Sequence, residues 1–331
     1  MSWPYGRSET HALGGMTAPV EFRMPAGQVF SPLLVAPWAG EPVAGHIPGH
    51  LKNLRGVFPC LPFGVSEVPI EAEDAWRRLV RHGVVNPQHG PGANGLWKLA
   101  ANDGSGLQIV FEHSKSYAVA RSLQFIRLDP LGPAIDFLFT AEARREVSLP
   151  FGQHVLLRWP DAPARITLDP APFAFGLTYP GALVMDHSAI SPGRCFARLS
   201  EVPALHSGSI DLSRPGLQSP AEDLIMLCGM EGRFDIAYPD EGFGLRILWD
   251  GTVLPSCLVW FSRGGLQEAP WQGRYAGIGI EPIAAAFDFL PGVSLSQNPV
   301  NARGIATAVR FQRGKPWETH LRLEAYPLDN R

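Results

Sequence analysis

The sequence has no run of about 18 apolar residues, the length a helix needs to cross a bilayer. Its most apolar stretch, residues 276–293, is broken by Glu281, Pro282, Asp288 and Pro291. Cysteine is sparse and dispersed. Cys60, Cys195, Cys228 and Cys257 form no CxxC pair and have no histidine at zinc-ligand spacing, which leaves reduced, buried core thiols as the expectation. Neither sign of charge dominates: 28 Lys+Arg against 31 Asp+Glu give a net charge of −3. No basic cluster is long enough to follow a phosphate backbone, so nucleic acid is not an expected partner. The N-terminus, MSWPYGRSETHALGG, has no apolar core of the secretory type. There is no Walker A sequence, no GxGxxG between a strand and a helix, no GxSxG and no HExxH. A cytoplasmic protein without membrane contact is expected.

Glycine and proline, by contrast, are abundant. Gly 35 and Pro 32 make up about a fifth of the 331 residues, against about 12% in average usage. Both disfavour helix interiors, glycine through entropy and proline through its missing N–H and ring clash. A mostly helical chain is excluded. Disorder is excluded too, because 45% hydrophobic content with nine Trp and eighteen Phe supplies a core. The remaining fit is an all-β protein of short strands and many turns. Runs with partial alternation occur at 108–114, 122–129, 134–144, 154–159, 164–169, 243–250, 257–262 and 320–326. Separations of about 8 to 15 residues between many of them suit a sandwich or barrel. In the third run, Ile135, Phe137 and Phe139 share one face, and Asp136, Leu138 and Thr140 the other.

Two helices are predicted. Residues 71–82 have acids early, bases late and Gly83 just beyond. Residues 219–230 begin with Ser219 as N-cap, Pro220 in the first turn and Glu222 as capping-box partner. Residues 1–20, polar and glycine-rich, read as a loosely held arm. No shift in composition or charge marks a boundary after that, so residues 21–331 read as one domain.

The candidate functional groups lie in apolar, glycine-rich surroundings. Glu281 stands in GIGIEP, where alternation places Gly277, Gly279 and Glu281 on one face. Two glycines beside a carboxylate leave a bare patch for a flat ligand, and partial burial would raise the carboxyl's pKa toward that of a useful base. The structural alternative is an acid at a strand end paired with an arginine. His154 shares a face with Gly152, though a lone strand histidine is more often a satisfied core group. His89 sits in the turn-rich loop NPQHGPGANGLW, as either a binding group or a solvated one. Arg55 is a cation in an apolar segment, fit to bridge two hydroxyls or to pair with an acid such as Glu67.

The order of these elements adds to their meaning. FPCLPFG (58–64), then His89-Gly90 followed by GLW (95–97), then Glu142-x-Arg144 and Pro150-x-Gly152-x-His154, and finally GIGIEP ending in Glu281 and Pro282, resemble the aldose 1-epimerase, or galactose mutarotase-like, family. The resemblance runs from about Val35 to the C-terminus. It implies a β-supersandwich of two large, twisted antiparallel sheets with a sugar-binding cleft. It also implies interconversion of sugar anomers by ring opening, with Glu281 as base, His154 as acid, and His89 and Arg55 binding hydroxyls. Asp223 is at a suitable distance for the family's sugar-binding Asp. No cofactor or metal is implied, and the partner is a small sugar. Trp97, Trp260 or Trp271 would offer an apolar platform to a pyranose face. LPFGQH stands where the family's mutarotases carry an Asn-x-x-x-His motif, which places the chain in a divergent branch.

Rival readings are a carbohydrate-binding protein without catalysis and a sugar-phosphate epimerase using Arg55, Arg144 and Arg263. A lyase- or hydrolase-like relative would want two carboxylates flanking one bond. Edge strands leave both monomer and homodimer open.

Overall fold

The computed structural model describes residues 1–329 apart from 66, 70–71, 78–86, 105, 162–163, 185 and 217–218. Among them, two large antiparallel sheets carry most of the chain. The larger has 11 strands, and its centre runs Val57–Cys60, Phe151–Arg158, Ala276–Ala284, Ser256–Arg263, Ala221–Cys228. The smaller has 8 strands, with Phe243–Trp249, Trp317–Pro327, Ala134–Ala143 and Val119–Leu128 in the middle. All eight alternating runs of the sequence fall on strands of these sheets. The described helices are short, and none is long and apolar enough to cross a membrane.

Alternation explains how the sheets face each other. Ile135, Phe137 and Phe139 of the smaller sheet point inward and pack with Phe151, Val155, Ile278, Ile280 and Val259 of the larger. The outward face of the smaller sheet is charged. Asp136 there accepts from His320 and Arg322, and Asp235 from Arg233 and Arg246. The larger sheet has no such face. Phe58, Leu156, Leu224, Met226, Leu258 and Ile283 point away from the smaller sheet, yet they too are buried, under Trp38, Phe63, Trp271, Tyr275 and Phe287 of the connecting segments. Its central strands are therefore covered on both sides.

This double burial corrects the helix predicted over 219–230. Ala221–Cys228 is a central strand, buried at every position. A run apolar on both faces has no diagnostic period, and pairing with two neighbours overrides the capping pattern. Ser219 Oγ donates to Arg263 O instead of capping a helix. The helix predicted over 71–82 is present as Asp74–Arg77, while residues 71 and 78–82 lie outside the described ones.

The expected N-terminal arm is also corrected. Ser2–Trp3, Gly6–Thr10 and Thr17–Arg23 are strands of the larger sheet, because Met16, Ala18, Val20 and Phe22 bury completely. Cys60, Cys228 and Cys257 are buried thiols as expected, but Cys195 is exposed, 3.6 Å from the Arg303 guanidinium. Its two-residue strand lies at the sheet's edge.

Phe151 joins the two sheets, with its ring centroid 4.8 Å from Phe139 and 4.9 Å from Trp317. Truncation of this fully buried ring by Phe151→Ala is expected to cost about 3–5 kcal/mol in a urea melt. A loss below about 1 kcal/mol would show that the site collapses around the gap or does not hold the sheets together.

Candidate active site

Glu281 and His154 stand on adjacent central strands. The pairs Gly152–Ile283 and Val155–Ile280 flank them, so both side chains leave the outer face of the larger sheet at one level. His154 Nε2 lies 3.3 Å from Glu281 Oε1, and the two side chains are 6% and 3% exposed. Phe58, opposite His154 on the next strand, stacks on its ring at 4.8 Å and 15°. Gly279 faces the same way as Glu281. A Cβ there would fall 2.6 Å from Glu281 Oε1, so glycine clears room for the carboxylate itself. Gly277 is not a bare patch, since Tyr275 and Leu34 cover it.

His89 closes on this pair from the loop side. It adopts a left-handed backbone, φ 56°, and Gly90 follows at φ 82°. A Cβ at position 90 would lie 2.1 Å from Leu61 O, which is why glycine follows the histidine. The His89 N–H donates to Gly64 O, and Phe63 N–H donates to Pro150 O. These two bonds bring the FPCLPFG, His-Gly and Pro-x-Gly-x-His segments together. The His89 ring stands edge-on to His154 at 5.3 Å and to His50 at 5.2 Å.

Glu281, His154, His89 and His50 line a cavity of about 350 Å³, walled by Leu51, Leu54, Leu224, Leu258, Trp260 and Trp271. The volume suits a small ligand. Burial governs its titrations. It pushes the Glu281 carboxyl well above its ordinary value, with Asp288 adding to the effect. It pulls His154 down to about 3, with nearby His50 adding, and holds His89 well below its usual range. Burial thus disfavours the charged form of both partners, carboxylate and imidazolium alike. Such a pair can release a proton from one atom and accept one at another within a single cavity.

Glu222 is a further carboxylate of the cavity, and the sequence reading missed it. Its Oε1 accepts from Ser262 Oγ at 2.7 Å and Gly265 N at 3.1 Å, and its Oε2 from Trp260 Nε1 at 3.2 Å. Burial outweighs these donors and lifts its carboxyl to about 7. A Cβ on Gly265 would lie 2.3 Å from Glu222 Cγ. The helical reading of 219–230 hid Glu222; read with period two, it shares the cavity face with Leu224 and Met226.

Asp223, its neighbour, points the other way. It accepts from Ser188 Oγ at 2.6 Å and Ala189 N at 3.0 Å and does not line the cavity. Arg55 is likewise not among the lining residues: its guanidinium meets His11, Asn53 and the Ala18 carbonyl. Trp97 is packed in the core between the sheets, whereas Trp260 and Trp271 line the cavity. Among the described residues, no group of three or more His, Cys, Asp or Glu is placed to hold a metal ion.

No protein-family model matches the sequence, and no curated protein matches it significantly. Solved structures do. The aldose epimerase homologue from C. elegans is 9% identical, with a TM-score of 0.63 over 99% of this chain and 98% of that one. A galactose mutarotase-like protein from Lactobacillus casei is 12% identical, with a TM-score of 0.60 over 98% and 99%. A galactose mutarotase related enzyme from Lactobacillus acidophilus is 10% identical, with a TM-score of 0.59 over 99% and 97%. The chain has the galactose mutarotase-like sandwich fold.

The folded-state pKa of Glu222 lies above its unfolded value, so the folded protein keeps this proton to higher pH. Its contribution to stability is full below about pH 4.5 and is lost as pH rises through about 7. Glu222→Gln is expected to remove a decline on the order of 3 kcal/mol across that window, measured as unfolding free energy by urea titration at each pH. A decline as steep as the wild type's would mean that Glu222 ionises normally in the folded protein.

Proposed function

We propose that this chain is a carbohydrate isomerase of the aldose 1-epimerase type, interconverting the anomers of an aldose. The observation that carries this reading is the Glu281–His154 pair, 3.3 Å apart and facing one cavity. Ring opening requires the C1 hydroxyl to lose its proton, the C1–O5 bond to break and O5 to gain a proton. The carbonyl carbon then turns, O5 re-adds to its other face, and the two protons return. Glu281 is assigned as base toward the C1 hydroxyl and His154 as acid toward O5. Burial disfavours the charged form of each group. Sugar hydroxyls donating to the carboxylate favour its ionised form, with the pair's proton on His154 Nε2. The pair is then charged as the assignment demands. Nothing is oxidised or transferred, so the chemistry calls for no cofactor.

His89 and Glu222, which line the cavity, are assigned to bind ring hydroxyls, and Trp260 and Trp271 to meet an apolar sugar face. A neutral aldose is favoured over a sugar phosphate. Among the described residues, the cavity is lined by Glu222, Glu268, Glu281 and Asp288 and by no Lys or Arg. A phosphate there would be buried without a counter-charge. The arginines that a phosphate reading would gather are engaged elsewhere: Arg144 donates to the carbonyls of Ser114, Tyr117 and Val119, and Arg263 lies over Trp159.

Polarimetry on freshly dissolved α-D-glucose and α-D-galactose tests the proposal. Glu281→Gln and His154→Asn are each expected to slow interconversion by about 10²–10⁴-fold while the fold survives. Glucose 6-phosphate is expected to be a poorer substrate than glucose. Unchanged rates in both variants with every aldose tried would refute the acid/base assignment. Saturable sugar binding by wild type, with no rate above the spontaneous one, would make the protein a binding module instead.

A further inference from the structure

The cavity wall holds a third histidine, His50, in the short helix Gly49–Lys52. This segment presses on the end of the Gly90–Asn94 helix: a Cβ on Gly49 would fall 2.4 Å from Asn94 O. The Asn94 amide is oriented by its own donors. Its Nδ2 donates to Gln88 O at 2.5 Å and to Gly90 O at 2.8 Å. Its Oδ1 therefore faces His50, accepting from the backbone N–H at 3.1 Å and meeting ring Nδ1 at 3.1 Å. An amide oxygen accepts and never donates. The proton of the His50 ring must sit on Nδ1, and Nε2 presents a lone pair. No described residue makes a hydrogen bond to that nitrogen, and the ring lines the cavity. Burial holds the ring neutral, with its pKa lowered to about 4.

The ring's place along the wall limits its task. His50 is edge-on to His89, which is edge-on to His154, with centroid spacings of 5.2 and 5.3 Å. The His89 ring thus stands between His50 and the Glu281–His154 pair along this row. We propose that His50 is a fixed acceptor for a sugar hydroxyl remote from the anomeric carbon, set in its Nδ1–H tautomer by Asn94. The hydroxyl donates, Nε2 accepts, and no proton is transferred. A sugar lacking that hydroxyl leaves a buried lone pair unanswered, which is how such a site rejects the wrong ligand. The ligand class rests on the isomerase reading; the tautomer does not.

Two measurements on the full chain separate these points. Nitrogen-15 NMR of the labelled protein is expected to show His50 with Nδ1 protonated, Nε2 bare and no titration between about pH 5 and 8. An Nε2–H tautomer, or titration near the ordinary value of about 6.5, would overturn the proposal whatever the protein does to sugars. The second measurement compares monodeoxy derivatives of glucose and galactose with the parent sugars. One deoxy position is expected to lose about 10–100-fold in kcat/KM, mainly through KM. His50→Leu should level that series. His50→Gln, whose Oε1 returns an acceptor near the Nε2 position, should keep part of the discrimination. A wild type indifferent to every deoxy position, or a His50→Leu variant with the wild-type pattern, would overturn the proposal. Absence of turnover by the wild type would defeat the isomerase reading alone, and the deoxy series is then read as binding affinity.

Discussion

Burial of the larger sheet's central strands on both faces is the constraint on which the rest of the structure depends. One face packs against the smaller sheet, and the other is roofed by the segments that connect the strands. Side chains on the roofed face are removed from water as thoroughly as those in the core. A carboxylate or imidazolium there must find donors, acceptors or a counter-charge, or else give up its charge. Glu222 finds three donors and still sits near neutrality. Glu281 has His154 at 3.3 Å, and burial works against the charged form of both. The reactivity proposed for the site is thus a property of the sheet's position as much as of the residues themselves.

The same constraint decides how much was legible in the sequence. Strands of the smaller sheet keep one face in solvent, so residues 134–144 alternate openly, with Phe137 inward and Asp136 outward among His320 and Arg322. The all-β class and the sandwich followed from such runs. Strands covered on both sides carry no alternation, and the segment after Ser219 took on a helical look from its cap-like residues. The cost was one residue of register: Asp223 was chosen where Glu222 faces the cavity, because a strand's period of two sends neighbours to opposite sides. Arg55 was noticed for being a cation among apolar neighbours, but its direction depends on His11 and Asn53, which sequence proximity does not reveal. His50 carried no signal at all, because its partner Asn94 is distant in the chain.

Glycine carried more of the site than its abundance suggested. Gly90, Gly265 and Gly279 are not interchangeable turn formers; a methyl group at each would strike a carbonyl or a carboxylate that the cavity requires in place. The likeness to mutarotase-like structures at 9–12% identity fits this picture. A sandwich tolerates wide replacement of apolar side chains by others of similar volume. A short set of polar residues and close approaches, spread over the chain in a fixed order, is what a family resemblance can then rest on.

The two sheets have unequal obligations. The outer face of the smaller one is charged, while the roof of the larger is built from connecting segments. Those segments can lengthen, shorten or exchange residues without disturbing the ladder pairings beneath them. A lineage carrying this fold could therefore change what it recognises by rewriting the roof, with the paired strands serving as inherited ground.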